Sequence, residues 1–386
     1  MISKNAATTP GWNQTELSRR LGIEYPIIQG PLGGFPSQKL AAAVSNFGGL
    51  GSIGALGLQP AALSAVIAEM RSLTSKPFAV NLWVSTEDKE AFTSGPEEFS
   101  RSLRPLVPHL ESLGVKLPSY APYVPLRFDD QVRVLLDAKV PVFSFIFGIP
   151  SKAILDECRQ KGIITVGAAT TPDEAAALEQ AGVDAIAASG FEAGGHRGSF
   201  LRPAEESLTG TFSLVPEIVD RVRIPVIAAG GISDARGIVA ALALGAQGVQ
   251  IGTAFLACRD SGASQYHRQA LLSGKVSTGL TKGFTGRLAR GIQNQLMREL
   301  NQPGVEILPY PLQRALVKSL SAPAEKASRS ELLPLWAGES ANLCRFDDAT
   351  LLLESLVKDV SAIADDVVRW REQRKSKSAQ SSERAK

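Results

Sequence analysis

Residues 225–253 have the sequence PVIAAGGISDARGIVAALALGAQGVQIGT, a strand, a helix and a second strand in succession. The two apolar runs, 225–229 and 248–252, end in small residues and do not alternate apolar with polar side chains. Strands of that kind are buried on both faces, as in a parallel sheet. The segment 234–244 between them predicts the crossover helix. This unit indicates a fold in which parallel strands alternate with helices.

The same pattern recurs along the rest of the chain. The spacing of Gly167, Gly182 and Ser189 repeats that of equivalent positions in the unit quoted above, which indicates an internal repeat. Eight buried strands alternating with helices predict a (β/α)8 TIM barrel, with an open doubly wound sheet as the alternative. The six further strands are predicted at 25–30, 49–53, 77–84, 140–148, 163–167 and 185–189, and helices at 37–46, 59–72, 151–160 and 172–181.

The lengths between these elements predict how the chain is divided. The barrel is predicted at 15–272, with a long insertion at 85–139 and a closing helix at 263–272. Residues 273–345 exceed what a barrel needs, and they predict a smaller, mainly helical capping domain over its mouth. A C-terminal helix is expected at 346–370. The last residues, 371–386, are polar and charged without apolar periodicity, which predicts a disordered tail.

Composition and charge argue against several classes of protein. Lys and Arg number 41 against 38 Asp and Glu, for a net charge of +3, and this balance gives no basic footprint for nucleic acid or a membrane surface. Cys158, Cys258 and Cys344 lie too far apart for a disulfide framework or a zinc site. Two stretches without charged side chains, 40–68 and 237–258, are interrupted by glycines, which argues against membrane helices. The N-terminus has no apolar signal region. A cytoplasmic protein, monomeric or homodimeric, is therefore expected.

Glycine pairs follow the last two predicted strands. Gly230 and Gly231 come after the seventh strand, and Gly252 and Thr253 after the eighth. In TIM barrels the active site lies at the carboxyl ends of the strands, and these two loops often bind phosphate through backbone N–H groups. A tight turn alone also requires glycine, so a structural role stays open. Two pairs at adjacent strand ends nevertheless favour a ligand that bears phosphate.

A third glycine-rich segment, GLGSIG at 49–54, matches the dinucleotide fingerprint G-x-G-x-x-G. The fingerprint must follow a strand and open a helix. Here the segment follows a predicted helix and itself spans the second strand. A dinucleotide-binding site is therefore not predicted at this position.

The chain has three histidines, of which one lies in a context typical of a functional site. His196 is flanked by glycines in the loop after the sixth strand, GFEAGGHRGSF, where an imidazole could transfer a proton near neutral pH. A residue that braces the loop is the alternative. His109 and His267 are expected on the surface or in packing. No second ligand lies at metal-binding spacing from His196, so no metal site is predicted.

Five segments in order, PIIQGPLGG, VNLW, GFEAGGHRGSF, PVIAAGGI and VQIGTAFL, resemble the nitronate monooxygenase family, formerly called 2-nitropropane dioxygenases. The resemblance spans residues 20–300 and implies a TIM barrel that binds FMN. It implies the oxidation of alkyl nitronates, such as propionate 3-nitronate, by O2 to a carbonyl compound and nitrite. His196 falls on the family's loop histidine and is the predicted catalytic residue. Together with the strand ends described above, the predicted cofactor-binding residues are Gln29, Asn81, Ser189, Gly194, Gly230, Gly231, Gln250, Ile251, Gly252 and Thr253.

One departure from the family concerns Ser189, where many relatives carry Gln; the shorter side chain puts a direct contact with the flavin in doubt. A similar E-A-G-G-H motif occurs in flavin-dependent enoyl-acyl-carrier-protein reductases and some NADH:quinone reductases, so an NAD(P)H-dependent flavin reductase is the alternative function. A non-catalytic barrel that binds a phosphate ligand is a further alternative. Additional contributions to the site are considered for Arg197 and, from the cap, for Lys282, Arg287 and Tyr310.

Overall fold

The computed structural model of the protein describes residues 11–364 and 366. Eight parallel strands form a barrel, and each overlaps a strand predicted from the sequence. The predicted disordered tail, 371–386, lies outside the described residues. The barrel strands, numbered first to eighth in chain order, are Ile27–Gln29, Gly51–Gly54, Phe78–Trp83, Val142–Ile146, Ile164–Ala169, Ala185–Ser189, Val226–Ala229 and Gly248–Ile251.

The sheet closes on itself at the first strand. Ile28 and Gln29 pair with Gln250 and Ile251 of the eighth strand on one side. On the other side, Ile28 bridges to Leu50 at the entry to the second strand. A closed barrel has no unpaired edges, so the TIM barrel is confirmed and the open doubly wound sheet is wrong.

Helices cover the outside of the barrel and one helix closes its amino end. Leu17 and Leu21 of the helix Glu16–Leu21 pack into the barrel interior against inward-facing residues such as Ile28, Leu50 and Val142. The outer helices are Gln38–Phe47, Pro60–Leu73, Phe128–Ala138, Lys152–Gln160, Pro172–Ala181, Thr211–Arg221, Ala235–Ala243 and Gln265–Leu272, with Thr253–Leu256 a short helix after the eighth strand.

The glycines of the segment GLGSIG serve packing in the second strand. A Cβ atom at Gly51 would lie 1.9 Å from the carbonyl oxygen of Ala41 in the helix Gln38–Phe47. At Gly54 it would lie 2.5 Å from the backbone nitrogen of Gly33. The helix lies too close to Gly51, and the backbone of Gly33 too close to Gly54, for any side chain, which explains these two glycines without a dinucleotide.

The insertion at 85–139 and the loop after the sixth strand have short elements of their own. The insertion contains Lys89–Phe92, Pro96–Leu103, Arg104–Leu106 and Val107–Ser112 before the outer helix Phe128–Ala138 begins. The loop contains a two-residue strand, Gly195–His196, and the turn Ala204–Glu206. Another two-residue strand, Leu32–Gly33, pairs with the second barrel strand.

The segment 273–345 is built from helices and a β-hairpin that the sequence did not predict. Strands Thr278–Thr281 and Ala289–Ile292 pair antiparallel, and Ala289–Ile292 also pairs with Gly195–His196 of the barrel loop. The helical parts are Gln295–Leu300, Leu312–Lys326, Ser330–Leu332 and Glu339–Leu343, and residues 349–364 form a further helix. The division of the chain into barrel, cap and C-terminal helix stays a prediction. Within the described residues, no helix is both long and apolar enough to span a membrane.

Candidate active site

A cavity of about 670 Å³ opens at the carboxyl ends of the barrel strands, beneath residues of the segment 273–345. The parallel strands bring their ends to one edge of the barrel, so loops distant in sequence meet there. Nine predicted site residues line the cavity: Asn81, Ser189, Gly194, His196, Gly230, Gly231, Gln250, Gly252 and Thr253.

Gln29 and Ile251 are predicted site residues that do not line the cavity. Both are fully buried. The side-chain amide of Gln29 accepts a hydrogen bond from the Ser52 N–H at 3.0 Å and donates to the Gly30 carbonyl, so it joins the first two strands. The Ile251 carbonyl accepts from the Gly30 N–H at 2.8 Å. In this structure both residues contribute to barrel closure.

The loops after the seventh and eighth strands present unpaired backbone donors to the cavity. In the part of the chain that the structure describes, the N–H groups of Gly231 and Gly252 have no hydrogen-bond acceptor. Gly230 and Gly231 have φ values of 100° and 73°, which residues other than glycine rarely adopt. A Cβ atom at Gly252 would meet no heavy atom within 4 Å. Free N–H donors beside empty space can bind an anion such as a phosphate.

Gly194 has a different reason to be glycine. A Cβ atom there would lie 2.5 Å from the backbone nitrogen of Gly338. The Gly338 N–H donates to the Thr253 hydroxyl at 3.0 Å, so this contact joins the loop after the sixth strand to residues after the eighth strand. Close packing between this loop and Gly338 thus requires glycine at position 194, and a role of Gly194 in binding the cofactor stays a prediction.

Arg197 is a buried structural residue. Its side chain donates to the carbonyl groups of Ser189, Ser207 at 2.8 Å and Thr170 at 3.2 Å, and the residue is 4% exposed. Burial lowers the pKa of its guanidinium to about 10, which leaves it charged at neutral pH. Arg197 therefore ties the ends of the fifth and sixth strands to the loop that contains His196, and it does not line the cavity.

His196 lines the cavity at the centre of a group of aromatic rings. Its Nε2 lies 2.8 Å from the Thr285 hydroxyl, and its ring lies 4.8 Å from Trp83 and 5.3 Å from Trp336 between centroids. Burial, together with the positive charges of Arg287 and Arg314, lowers its pKa to about 3. The imidazole is therefore neutral at physiological pH, when it can accept or donate a hydrogen bond.

The other two histidines connect parts of the fold. His109 in the insertion donates to the Glu299 carboxylate at 2.5 Å, in the helix Gln295–Leu300. His267 is 2% exposed, lines the cavity, and donates from Nε2 to the Trp336 carbonyl at 2.7 Å. Burial lowers the pKa of His267 to about 4, an effect that this hydrogen bond partly offsets. The sequence predicts both on the surface or in packing; the position of His267 in the cavity wall was not predicted.

The cap residues suggested by the sequence differ in position. Lys282 forms an ion pair with Glu205 at 2.5 Å, with both side chains about half exposed, and it does not reach the cavity. Arg287 pairs with Asp88 at 2.8 Å and stacks over the Phe147 and Tyr310 rings. Tyr310 is 1% exposed and packs 6.2 Å from His196 between ring centroids. Arg287 and Tyr310 thus pack within the group of aromatic rings that surrounds His196.

Sequence analysis missed one face of the helix Leu312–Lys326, which forms a wall of the cavity. The helix residues that line the cavity are separated alternately by three positions and by one, so they lie on one side of the helix. The guanidinium of Arg314 lies 4.0 Å from the Cβ position of Gly34 and 3.7 Å from that of Gly57, above two strand-end loops. No carboxylate of the described residues lies within 4 Å of it. The helical spacing was visible in the sequence, but not which side faces the barrel. The lining residues are Arg314, Val317, Lys318, Ser321, Ala322 and Glu325.

Comparisons with known proteins agree with this architecture. A model of the family described as nitronate monooxygenase matches residues 14–359. A protein of Staphylococcus aureus named "Probable nitronate monooxygenase" is 42% identical over 354 residues, which cover 91% of this chain and 99% of that protein. The chain belongs to the nitronate monooxygenase family. Its members are flavin-dependent oxidoreductases.

Solved structures extend the comparison to the fold. A nitroalkane oxidase from Streptomyces ansochromogenes is 34% identical, with a TM-score of 0.81 and coverage of 91% of this chain and 99% of that one. FabK from Thermotoga maritima is 29% identical, with a TM-score of 0.71 and coverage of 92% and 99%. Proteins with different names thus share this fold, so the fold alone does not determine the substrate.

Proposed function

We propose that this protein binds FMN and oxidises alkyl nitronates with O2 to a carbonyl compound and nitrite. The observation that carries the proposal is that one cavity joins the free N–H donors of Gly231 and Gly252 to His196 and Arg314. Phosphate-binding donors and a neutral imidazole beside a cation suit a flavin and an anionic substrate. The family relationship supports the same assignment.

The residues of the cavity fit FMN. The Gly231 and Gly252 N–H groups would bind its phosphate, since both are free donors in loops that line the cavity. Asn81 and Gln250 add amide groups, and Asn81 is held by a 3.0 Å hydrogen bond to Ser144. The bound flavin would supply the electron acceptor for the reaction. A single phosphate site and no dinucleotide fingerprint in its proper context favour FMN over FAD.

Arg314 and His196 would bind the substrate. A nitronate has a negative charge on its nitro oxygens, and no carboxylate of the described residues lies within 4 Å of the Arg314 guanidinium. In a cavity shielded from water, such a charge pair is stronger than on the surface. The neutral His196 borders the same cavity and adds no charge that would compete with that of Arg314. Together they would orient the anion and neutralise it.

A neutral nitroalkane would require one further step. Its α-proton must leave before the anion exists, and His196 is the cavity imidazole that lies among the aromatic rings. The low pKa of His196 keeps it unprotonated and ready to accept that proton. The resulting nitronate anion would then stabilise the imidazolium beside it.

An NAD(P)H-dependent flavin reductase is the second candidate, because the E-A-G-G-H motif at 192–196 resembles one found in such reductases. The similarity to FabK from Thermotoga maritima, at 29% identity, keeps this alternative open. The two functions differ in their electron donor. A monooxygenase consumes O2 with a nitronate and needs no nicotinamide, whereas a reductase takes electrons from NADH or NADPH.

The test is an absorbance spectrum of the purified protein followed by two additions. We expect a flavin spectrum, O2 uptake and nitrite release when a nitronate is added in air, and no anaerobic bleaching by NADPH. Bleaching by NADPH without nitronate oxidation would favour the reductase. A colourless protein that gains no chromophore from added FMN would instead indicate a non-catalytic barrel.

A further inference from the structure

The paired strands Thr278–Thr281 and Ala289–Ile292 form a hairpin, the cap hairpin. Thr285 lies in its turn and contacts the imidazole of His196. It is 3% exposed, and its Oγ1 is 2.8 Å from His196 Nε2. The hairpin also holds the backbone of His196, because Ala289 pairs with it in the small antiparallel sheet. One element of the cap therefore fixes both the backbone and the ring of this residue.

The neighbours of the Thr285 hydroxyl distinguish the two neutral tautomers of His196. The hydroxyl has one proton, and the Arg287 carbonyl lies 3.2 Å from Oγ1 as an acceptor. If Nε2 is protonated, it donates to Oγ1, and Oγ1 donates to the carbonyl. If Nε2 is unprotonated, the hydroxyl must turn to it, and the carbonyl loses its donor. Both arrangements keep the hydrogen bond that the Arg287 N–H donates to Oγ1 at 3.4 Å. Beyond it, the first arrangement makes two hydrogen bonds and the second makes one.

The other ring nitrogen supports the same tautomer. Nδ1 has no hydrogen-bond partner among the described residues, so a proton there would have no acceptor in the protein. The ring is packed against Trp83 and Trp336, whose faces offer no strong acceptor. A lone pair on Nδ1 is therefore less costly than a proton, and His196 lines the cavity.

We propose that Thr285 is the positioning residue that holds His196 in the Nε2–H tautomer, which leaves Nδ1 as the atom that accepts the substrate's α-proton. This proposal rests on the proposed function. In the step, the α-carbon–hydrogen bond breaks and its proton forms an N–H bond at Nδ1. The electron pair of the broken bond enters the carbon–nitrogen bond of the substrate. The products are the nitronate anion and an imidazolium whose Nε2–H still donates a hydrogen bond to Thr285.

The tautomer can be measured without turnover by nitrogen NMR of the protein labelled with ¹⁵N-histidine. The chain has three histidines, and His196→Asn assigns the signals of the missing one. His267 is an internal reference, because its Nε2 must be protonated to donate to the Trp336 carbonyl. We expect His196 to show the same tautomer as His267, to mix tautomers in Thr285→Val, and to recover in Thr285→Ser. A protonated Nδ1 in the wild type, or an unchanged tautomer in Thr285→Val, would overturn the proposal.

The kinetic arm separates positioning from folding. In Thr285→Val we expect kcat on a neutral nitroalkane to fall about three- to tenfold, with a smaller fall in the turnover of a pre-formed nitronate, since only proton removal uses the tautomer. Thr285→Ser should restore kcat. An unchanged kcat despite mixed tautomers would refute Nδ1 as the acceptor. If the wild type oxidises neither substrate, the proposed function fails, and the NMR spectra still decide the tautomer.

Discussion

Asp88 and Arg287 form an ion pair at 2.8 Å that joins the insertion after the third strand to the turn of the cap hairpin. Asp88 also accepts the Tyr310 N–H at 3.0 Å, and Arg287 lies 4.4 Å above the Phe147 ring. The side chain of Arg287 is 11% exposed. Two segments 199 residues apart in sequence thus meet beside the aromatic rings that surround His196.

Removal of this carboxylate should destabilise the cap contact. In Asp88→Asn we expect the free energy of unfolding to fall by about 1–3 kcal/mol, because a largely buried guanidinium loses its counter-charge. Urea unfolding measures the change. The matched control is Asp347→Asn, whose pair with Arg259 is more than half exposed on both sides and should contribute under about 1 kcal/mol. Equal losses in both variants would contradict a special role for Asp88.

The phosphate site can be tested at Gly252 without straining the backbone. Gly252 has a φ of −103°, and a Cβ atom there would meet no protein atom within 4 Å. Gly252→Ala should therefore fold with wild-type stability but bind FMN at least about tenfold more weakly, because the methyl group enters space that the phosphate needs. Flavin content after dialysis and fluorescence titration measure the affinity.

The control for that variant is Gly95→Ala, at a surface helix start where a Cβ atom would meet only Glu98 Oε2 at 3.3 Å. Its flavin content should equal that of the wild type. Full affinity in Gly252→Ala would mean that the phosphate binds elsewhere. Flavin released by heat should chromatograph as FMN, and recovery of FAD would exclude the single-phosphate site.

The barrel could be predicted from the sequence because its strands are buried on both faces, which produces apolar runs such as PVIAA at 225–229. His196 was also visible, since glycines surround it at a strand end. Thr285 and Trp336 were not. Thr285 reaches His196 through the pairing of a hairpin with a barrel loop, and Trp336 is connected to that hairpin by a bridge to Gly291. The sequence also does not distinguish strand-end residues that face the cavity from those that close the barrel. Gln29 and Ile251 are examples of the second kind.

His267 should make stability depend on pH. Burial lowers its pKa to about 4, below the ordinary 6.5, so the unfolded chain binds a proton between these values that the folded protein does not. Stability from this group is complete above about pH 6.5 and falls as the pH decreases, by up to about 1.4 kcal/mol per pH unit. Urea unfolding at pH 5 and pH 7 should show a smaller difference in His267→Gln than in the wild type. The same difference in both proteins would place the dependence on other groups.

Arg314 should control the affinity for anionic substrates. In Arg314→Gln we expect KM for a nitronate to rise about tenfold with a smaller change in kcat, because the lost charge binds the anion before and during reaction. Arg314→Lys keeps the charge and should recover most of the affinity. Steady-state O2 uptake measures both constants. An unchanged KM in Arg314→Gln would show that the nitronate binds away from the helix Leu312–Lys326.

His196 should act on neutral nitroalkanes as a base that stays active in mild acid. Burial and the charges of Arg287 and Arg314 lower its pKa to about 3, so it remains unprotonated well below pH 6.5. An ordinary histidine base would lose activity as the pH falls through about 6.5. We therefore expect kcat/KM for a neutral nitroalkane to show no histidine-like decrease between about pH 5 and pH 7. A decrease centred near pH 6.5 would mean that bound flavin or substrate restores the ordinary pKa.

His196→Asn then separates proton removal from substrate binding. Asn keeps a hydrogen-bonding side chain but cannot accept a proton near neutral pH. Activity on a neutral nitroalkane should fall by about 10²- to 10⁴-fold, the usual effect of losing a general base, and the lower end is expected because a pKa of about 3 makes a weak base. Activity on the pre-formed nitronate should fall much less, since its α-proton is already gone, and flavin content should stay constant. Equal losses on both substrate forms would assign His196 to binding, and full activity on both would leave it a residue that braces its loop against Thr285.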